Sequence, residues 1–289
     1  MKIVGESLNV MGTQIGKAMK ERDPGPIQEM ALSQKAAGVD WIDINLGPAK
    51  KGGAELMQWV VNTVQEVVDD TSLSLDTSNI EAIEAGLEAC KLKALVNSIM
   101  ARPERYEKMI PVVAKHQAQV IALMWGPEGL PRDENERAAL CVELTYAMNE
   151  AGIPNEDIFV DGIVTPVNIQ QPQLMSLLAF QEMLVDIAPG CKSVNGLSNC
   201  SNGTPIRPIL NQTFMVMLER KGMYSSIADH EDETLMAIAR GKRPDIVEVI
   251  HQVMDGTDPS PDSKELIDFV KTAKVLLGHA LYSDSWLEL

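Results

Sequence analysis

Leu75-Asp76-Thr77-Ser78-Asn79-Ile80-Glu81-Ala82-Ile83-Glu84-Ala85-Gly86-Leu87 decides the fold. It opens at the end of a short strand-like run near 71–77, stops on polar turn residues, and passes directly into a helix-length segment. That is one strand–helix unit. Working outward, the unit recurs. Strands are predicted near 2–9, 39–46, 71–77, 93–99, 119–125, 157–163, 191–198 and 224–229, eight in all. Strands alternating with helices predict a parallel arrangement, and eight of them predict an α/β chain folded as a (β/α)8 TIM barrel.

The intervening segments carry the helical period. Leu56, Trp59, Val60, Thr63, Val64, Val67 and Val68 form one nearly continuous stripe. Ile206, Ile209, Leu210, Thr213, Phe214 and Met217 form another. Leu140, Leu144, Ala147 and Ala151 form a third, which ends at Gly152 with Pro154 beyond. The first helix is expected to start at Asp23-Pro24, a cap followed by proline.

The region 241–263 departs from the pattern. Gly241-Lys242-Arg243-Pro244 breaks it, Ile246 to Met254 reads as a short helix, and Asp255 to Asp262 is a loop rich in Gly, Pro and Asp. Residues 264–280 then form an amphipathic helix able to close the barrel. With no second core in view, residues 1–289 read as one domain with a small C-terminal helical insertion. A barrel of about 250 residues plus an extension fits the length.

The formal net charge of −16 disfavours nucleic acid and anionic membrane as partners. No apolar stretch is long enough to span a bilayer. Lys2-Ile3-Val4-Gly5-Glu6 runs straight into a strand-like segment, so no signal peptide is expected. Cys90, Cys141, Cys191 and Cys200 form no CxxC pair, as expected for free thiols in a reducing compartment. A cytoplasmic protein is expected.

In a barrel of this kind the site is built at the C-terminal ends of the strands. Those ends read Glu6-Ser7-Leu8-Asn9, Asp43-Ile44-Asn45-Leu46-Gly47, Asp76-Thr77-Ser78-Asn79, Asn97-Ser98, Met124-Trp125-Gly126, Asp161, Ser198-Asn199 and Asp229-His230. So many amides and carboxylates at one rim need hydrogen-bond partners, and a flat polar molecule rich in N–H and C=O groups supplies them. Helix capping is the competing explanation, stronger for Ser78, Asn79 and Ser98 than for Asp76, Asn97 and Asp161. Asp43 and Asn45 point to the same face of their strand and can form a supporting network.

Several chemistries lack their signatures. No glycine-rich phosphate loop follows strands seven and eight, and no GxGxxG follows strand one. His116, His230, His251 and His279 have no ligand-like spacing with the cysteines, so no metal site is expected. A local partner is expected for His230, and Cys200 has no assigned base.

At these strand ends the chain resembles the methyltetrahydrofolate:corrinoid protein methyltransferases, pterin-binding barrels related to dihydropteroate synthase. The resemblance is carried by Gly5–Asn9, Glu21–Pro24, Asp43–Ala49, Leu75–Leu87, Asn97-Ser98, Gly196–Asn199, Arg207-Pro208, Asn211–Phe214 and Leu281–Ser285. It implies methyl transfer between N5 of tetrahydrofolate and the cobalt of a corrinoid protein: methyltetrahydrofolate and the Co(I) protein exchange with tetrahydrofolate and the methyl-Co(III) protein. Folate is then the substrate, and the corrinoid is carried by a partner protein. No cobalamin-binding helical domain is read in these residues, so the corrinoid is expected to arrive on another protein. The resemblance implies Asn199 at N5, and Asp76, Asn97 and Asp161 on the pterin edge. Arg207 would sit at the ring carbonyl or in the loop after strand seven, with Asp43 and Asn45 behind. It also implies a homodimer.

Two departures stand out: the longer segment 241–269, and Trp125-Gly126 where a more polar pair is expected. Three alternatives stay open: a dihydropteroate-synthase-like condensing enzyme, a non-catalytic pterin or folate binder, and a corrinoid methyltransferase for a different methyl donor. Against the first, Ser226-Ile227-Ala228-Asp229-His230 lacks the arginine that such enzymes carry near strand eight.

Overall fold

The computed structural model describes residues 1–49 and 51–288. Eight parallel strands run in the order β7-β6-β5-β4-β3-β2-β1-β8. They are β1 (Lys2–Asn9), β2 (Trp41–Gly47), β3 (Ser72–Thr77), β4 (Leu95–Met100), β5 (Gln119–Leu123), β6 (Ile158–Asp161), β7 (Lys192–Ser193) and β8 (Ser225–Ala228). The ring closes between β7 and β8 by a parallel bridge of Gly196 to Ile227, where the Ile227 N–H donates to the Asn195 carbonyl at 2.7 Å. The architecture is that of a TIM barrel, as the strand–helix alternation predicts.

Helices alternate with the strands: α1 (Thr13–Glu21), α2 (Pro24–Ala37), α3 (Gly53–Gln65), α4 (Ile80–Ala89), α5 (Pro103–His116), α6 (Glu134–Glu150), α7 (Val167–Ile187), α8 (Arg207–Arg220) and α9 (Glu233–Ala239). Then come α10 (Pro244–Met254) and α11 (Lys264–Leu276), which pack on each other and on α8. The break at 241–263 therefore holds a helix that covers the outer layer, as its sequence indicates. Local chemistry explains several boundaries. The Asp23 side chain accepts from the Gly25 N–H at 3.1 Å, with Pro24 in the first turn of α2. Asn79 accepts from the Ala82 N–H at 3.2 Å and starts α4. Ser78 and Ser98 cap no helix: α4 takes Asn79, and α5 has Arg102 at its N-cap without a side-chain bond.

Two elements differ from the sequence reading. α1 precedes the helix expected to be first, and its turns bury Ile15, Ala18 and Met19. β7 is much shorter than 191–198. Its continuation turns at Gly196 into a 3-10 turn over Leu197–Asn199, which lifts Asn199 above the barrel end.

Two apolar layers stabilise the barrel. The larger lies between strands and helices; the smaller fills the barrel with Val4, Trp41, Leu95, Ile121, Phe159 and Val194, joined by Ile227. Trp41 meets Phe159 edge to face, with ring centroids 5.6 Å apart. This plug makes the barrel a packed core below and leaves the chemistry to its upper rim. No described helix is long and apolar enough to cross a membrane.

Candidate functional site

Strand register assembles the site. Asp43 pairs with Ser74, Asn45 with Asp76, and Asp76 with Asn97. Side chains alternate across a strand, so Trp41, Asp43 and Asn45 share a face, as do Ser74 with Asp76 and Leu95 with Asn97. The apolar members of these sets belong to the interior plug, so the polar members stand directly above it, at the C-terminal mouth.

Asp43 is buried, and its Oδ1 accepts from Ser74 Oγ at 2.6 Å and from Asn97 Nδ2 at 3.1 Å. It therefore works beneath the rim, fixing the Asn97 amide so that its carbonyl oxygen is presented to the mouth. Asn45 is fixed in the same manner. Its Oδ1 accepts from the Gly47 N–H at 2.9 Å, while its Nδ2 donates to Asp76 Oδ2. One Asp76 oxygen is thus tied to the strand and the other is free for a ligand. Burial raises the Asp76 carboxyl above the usual carboxylate range, and the Asp43 charge raises it further. Burial raises Asp43 also, against its two hydrogen bonds.

On the next strands, Asp161 pairs in register with Leu123 and is only 8 % exposed. Its Oδ1 accepts from the Ile163 N–H at 2.8 Å. Burial pushes its carboxyl up to about 7, against the pull of that N–H and of the Arg137 guanidinium. A carboxylate so placed is short of donors, which a ligand with adjacent N–H groups supplies.

Asn199 ends the 3-10 turn and is exposed, and its side chain makes no hydrogen bond to another described residue. Glycine at 196 makes room for it: a Cβ there would lie 3.1 Å from Asn199 Nδ2. Arg207, in the first turn of α8, donates to Ser201 Oγ at 3.1 Å and to the Ser198 carbonyl at 2.9 Å. It orders the loop after β7. A cleft of about 680 Å³ opens beside this loop, lined in part by Glu6, Ser198, Arg207 and Asn211. The Asn211 Oδ1 is buried there without a partner among the described residues.

Glu6 and Arg137 carry functional geometry that the sequence reading did not single out. Glu6 accepts from Ser198 Oγ at 2.5 Å, and burial raises its carboxyl. It ties β1 to the turn that holds Asn199. Glu6 was legible as one more strand-end carboxylate; Arg137 lies in a helix and gave no such signal. His230 has the local partners expected of it, with Nδ1 3.1 Å from Ser7 Oγ and Nε2 2.9 Å from Ser33 Oγ.

Cys200 is fully buried, and burial raises its thiol far above the ordinary range. A thiol in that state is a poor nucleophile. Cys200→Ala is expected to keep near-wild-type turnover, and thiol reagents are expected to label Cys200 only after unfolding. A folded but inactive Cys200→Ala protein would contradict this.

A family model described as pterin binding enzyme matches residues 5–240. The methylcorrinoid:tetrahydrofolate methyltransferase of Eubacterium limosum is 28% identical over 238 residues, covering 82% of this chain and 88% of that protein. The methionine synthase of Mycobacterium leprae (strain TN) is 24% identical over 239 residues, 78% of this chain but only 20% of that longer protein. Among solved structures, the dihydropteroate synthase of Thermus thermophilus superposes with a TM-score of 0.60 at 20% identity, covering 83% of this chain and 93% of that one. At that identity the likeness speaks for the fold alone. The family match spans most of the barrel, including every strand end described above, and the chain belongs to the pterin-binding enzyme family.

Proposed function

We propose that this protein is a methyltransferase that moves a methyl group between N5 of tetrahydrofolate and the cobalt of a corrinoid carried by a separate protein. One observation carries the reading. Asp76 and Asn97, side by side on β3 and β4, and Asp161 present acceptors at one mouth, matched to a flat ring edge bearing an N–H and an exocyclic amine, with Asn45 fixing Asp76. The similarity to a methylcorrinoid:tetrahydrofolate methyltransferase supports the same substrate pair.

In this reading Asp161, Asp76 and Asn97 hold the pterin edge, with Asp43 and Asn45 fixing them from behind. Arg207 orders the loop above. Asn199 meets N5. The partner's corrinoid donates or accepts the methyl group, so the barrel mouth stays open to it. When methyltetrahydrofolate is the donor, the C–N5 bond breaks and N5 keeps the electron pair. An amine leaves poorly unless a donor or a proton meets that pair. The Asn199 amide donates a hydrogen bond there, strongest as the bond breaks. An amide does not titrate near neutral pH, so the proton itself arrives through water.

The test mixes purified protein, tetrahydrofolate and methylcobalamin without oxygen, following the cobalt spectrum and the folate product. Conversion to Co(I) with appearance of methyltetrahydrofolate is expected. Neither conversion nor folate binding, with free cobalamin or with any methylated corrinoid protein, would remove the proposal. Folate binding without turnover would leave a pterin binder.

A further inference from the structure

Arg137 heads the largest fully buried side chains of the protein, and among the described residues no carboxylate lies within ion-pair distance of it. It sits on α6, and its donors are met by neutral groups alone. Nε donates to the Gly162 carbonyl at 2.7 Å, one terminal nitrogen to Ser176 Oγ at 2.8 Å, and the other to Gln173 Oε1 at 2.7 Å. A buried cation held by neutral partners is costly, and an apolar side chain would fill the same volume without that cost. Packing alone therefore does not account for an arginine here.

What it faces does. Gly162 follows Asp161 at the end of β6, and its carbonyl belongs to the same peptide group as the Ile163 N–H. That N–H donates to Asp161 Oδ1 at 2.8 Å. One peptide unit thus joins the two charges: guanidinium N–H to carbonyl oxygen, then amide N–H to carboxylate. A cation on the carbonyl polarises the peptide and strengthens its N–H as a donor. The same peptide leads into Ile163 at φ 70°, a left-handed conformation that a β-branched residue rarely takes. Without a fixed Gly162 carbonyl, Ile163 has reason to relax, and the N–H then turns away from Asp161.

We propose that Arg137 is a positioning residue that favours the ionised form of Asp161 and aims it across the mouth through this shared peptide.

The surroundings are consistent with that task. Arg137 draws the Asp161 carboxyl down against the upward push of burial. The acids around the guanidinium are Asp133, Glu134 and Glu136, and Glu134 reaches it through Ser176 Oγ, 3.1 Å away. α7 contributes only the neutral Gln173 and Ser176. β5 carries no ionisable side chain, and the Lys192 ammonium of β7 sits over the Phe159 ring, 5.0 Å from its centroid.

The consequence for substrate binding rests on the folate-binding role proposed for Asp161, so the experiment has two readouts. In the full chain, the Asp161 carboxyl is titrated by carbon NMR, assigned with Asp161→Asn, and tetrahydrofolate affinity is measured from pH 6 to 9. In Arg137→Met the Asp161 midpoint is expected to rise by about one unit or more. Affinity at pH 7 should then fall roughly fivefold and recover at pH 9, since moving the midpoint from about 7 to about 8 cuts the ionised fraction at pH 7 from about one half to about one tenth. Arg137→Lys, which keeps the charge, is expected to restore most of the midpoint. Should the methionine variant not fold, Arg137→Gln decides, because glutamine can still bond the Gly162 carbonyl but is neutral. A wild-type midpoint in a folded neutral variant, or an affinity loss equal at every pH, overturns the proposal. Absence of tetrahydrofolate binding by the wild-type protein would count against the folate reading alone, and the NMR midpoint would still judge Arg137.

Discussion

Asn199→Ala is expected to lower turnover by about 100- to 1,000-fold, the range found when a single donor to a developing charge is removed. The loss should fall on kcat far more than on KM. The carboxylates and amides on β3, β4 and β6 proposed to hold the pterin edge are untouched by this change, and the Asn199 side chain makes no hydrogen bond to another described residue, its turn bond to Gly196 being made by the backbone. Its amide stands above Gly196 on a 3-10 turn anchored by Glu6 through Ser198, so alanine leaves that turn intact. Asp229→Ala is the comparison. Its carboxylate accepts from the Glu231 N–H at 2.9 Å and serves a local turn, so its loss should reduce turnover much less. Steady-state rates with methylcobalamin or a methylated corrinoid protein, beside equilibrium folate binding, make the measurement. An Asn199→Ala enzyme within a few-fold of wild type would move the reacting centre elsewhere.

The site was legible in the sequence wherever a polar residue ends a strand. Asp43, Asn45, Asp76 and Asn97 interrupt β-branched and aliphatic runs at positions of one parity, and parity alone sends them inward. Arg137 was not legible. It lies in Glu134-Asn135-Glu136-Arg137, which reads as the solvated face of a helix, and only the packing of α6 against α7 and the end of β6 buries it. α1 lies between the first strand and the Asp23-Pro24 cap, where the sequence analysis places no helix. Its Gly16 is required by the close approach of the Val10 carbonyl, 2.1 Å from where a Cβ would stand. β7 pairs over less of 191–198 than the strand-like sequence suggests. Ser193, Asn195 and Gly196 continue an extended chain, yet the partner strand β8 offers Ile227 alone for pairing beyond them.

Asp161→Asn is expected to weaken tetrahydrofolate binding by at least ~100-fold, and at the same time to stabilise the unliganded protein at alkaline pH. The binding loss follows from the acceptor. An ionised carboxylate takes hydrogen bonds from adjacent N–H groups, whereas an amide sets its own N–H against one of them, a donor facing a donor with neither paired. The stability gain follows from the sign of the shift. Burial pushes the Asp161 carboxyl from its ordinary 3.8 up to about 7, so the folded state binds the proton more tightly than the unfolded state. Below about pH 4 both states are protonated and no difference arises. As pH rises towards 7 the unfolded state ionises first, and the wild-type fold loses stability on the order of 3 to 4 kcal/mol. Asparagine carries no charge, so its advantage should grow from pH 4 to pH 7 and level off above. Its Oδ1 can still accept from the Ile163 N–H, which keeps the local turn. Thermal melts of the two unliganded proteins across that range, with calorimetric folate titrations at pH 8, measure both effects. Parallel stability curves with intact folate binding would show that Asp161 is neither strained by its burial nor in contact with the ligand. A site whose carboxylate is costly until a ligand arrives converts that cost into affinity, because pairing the charge is then part of binding.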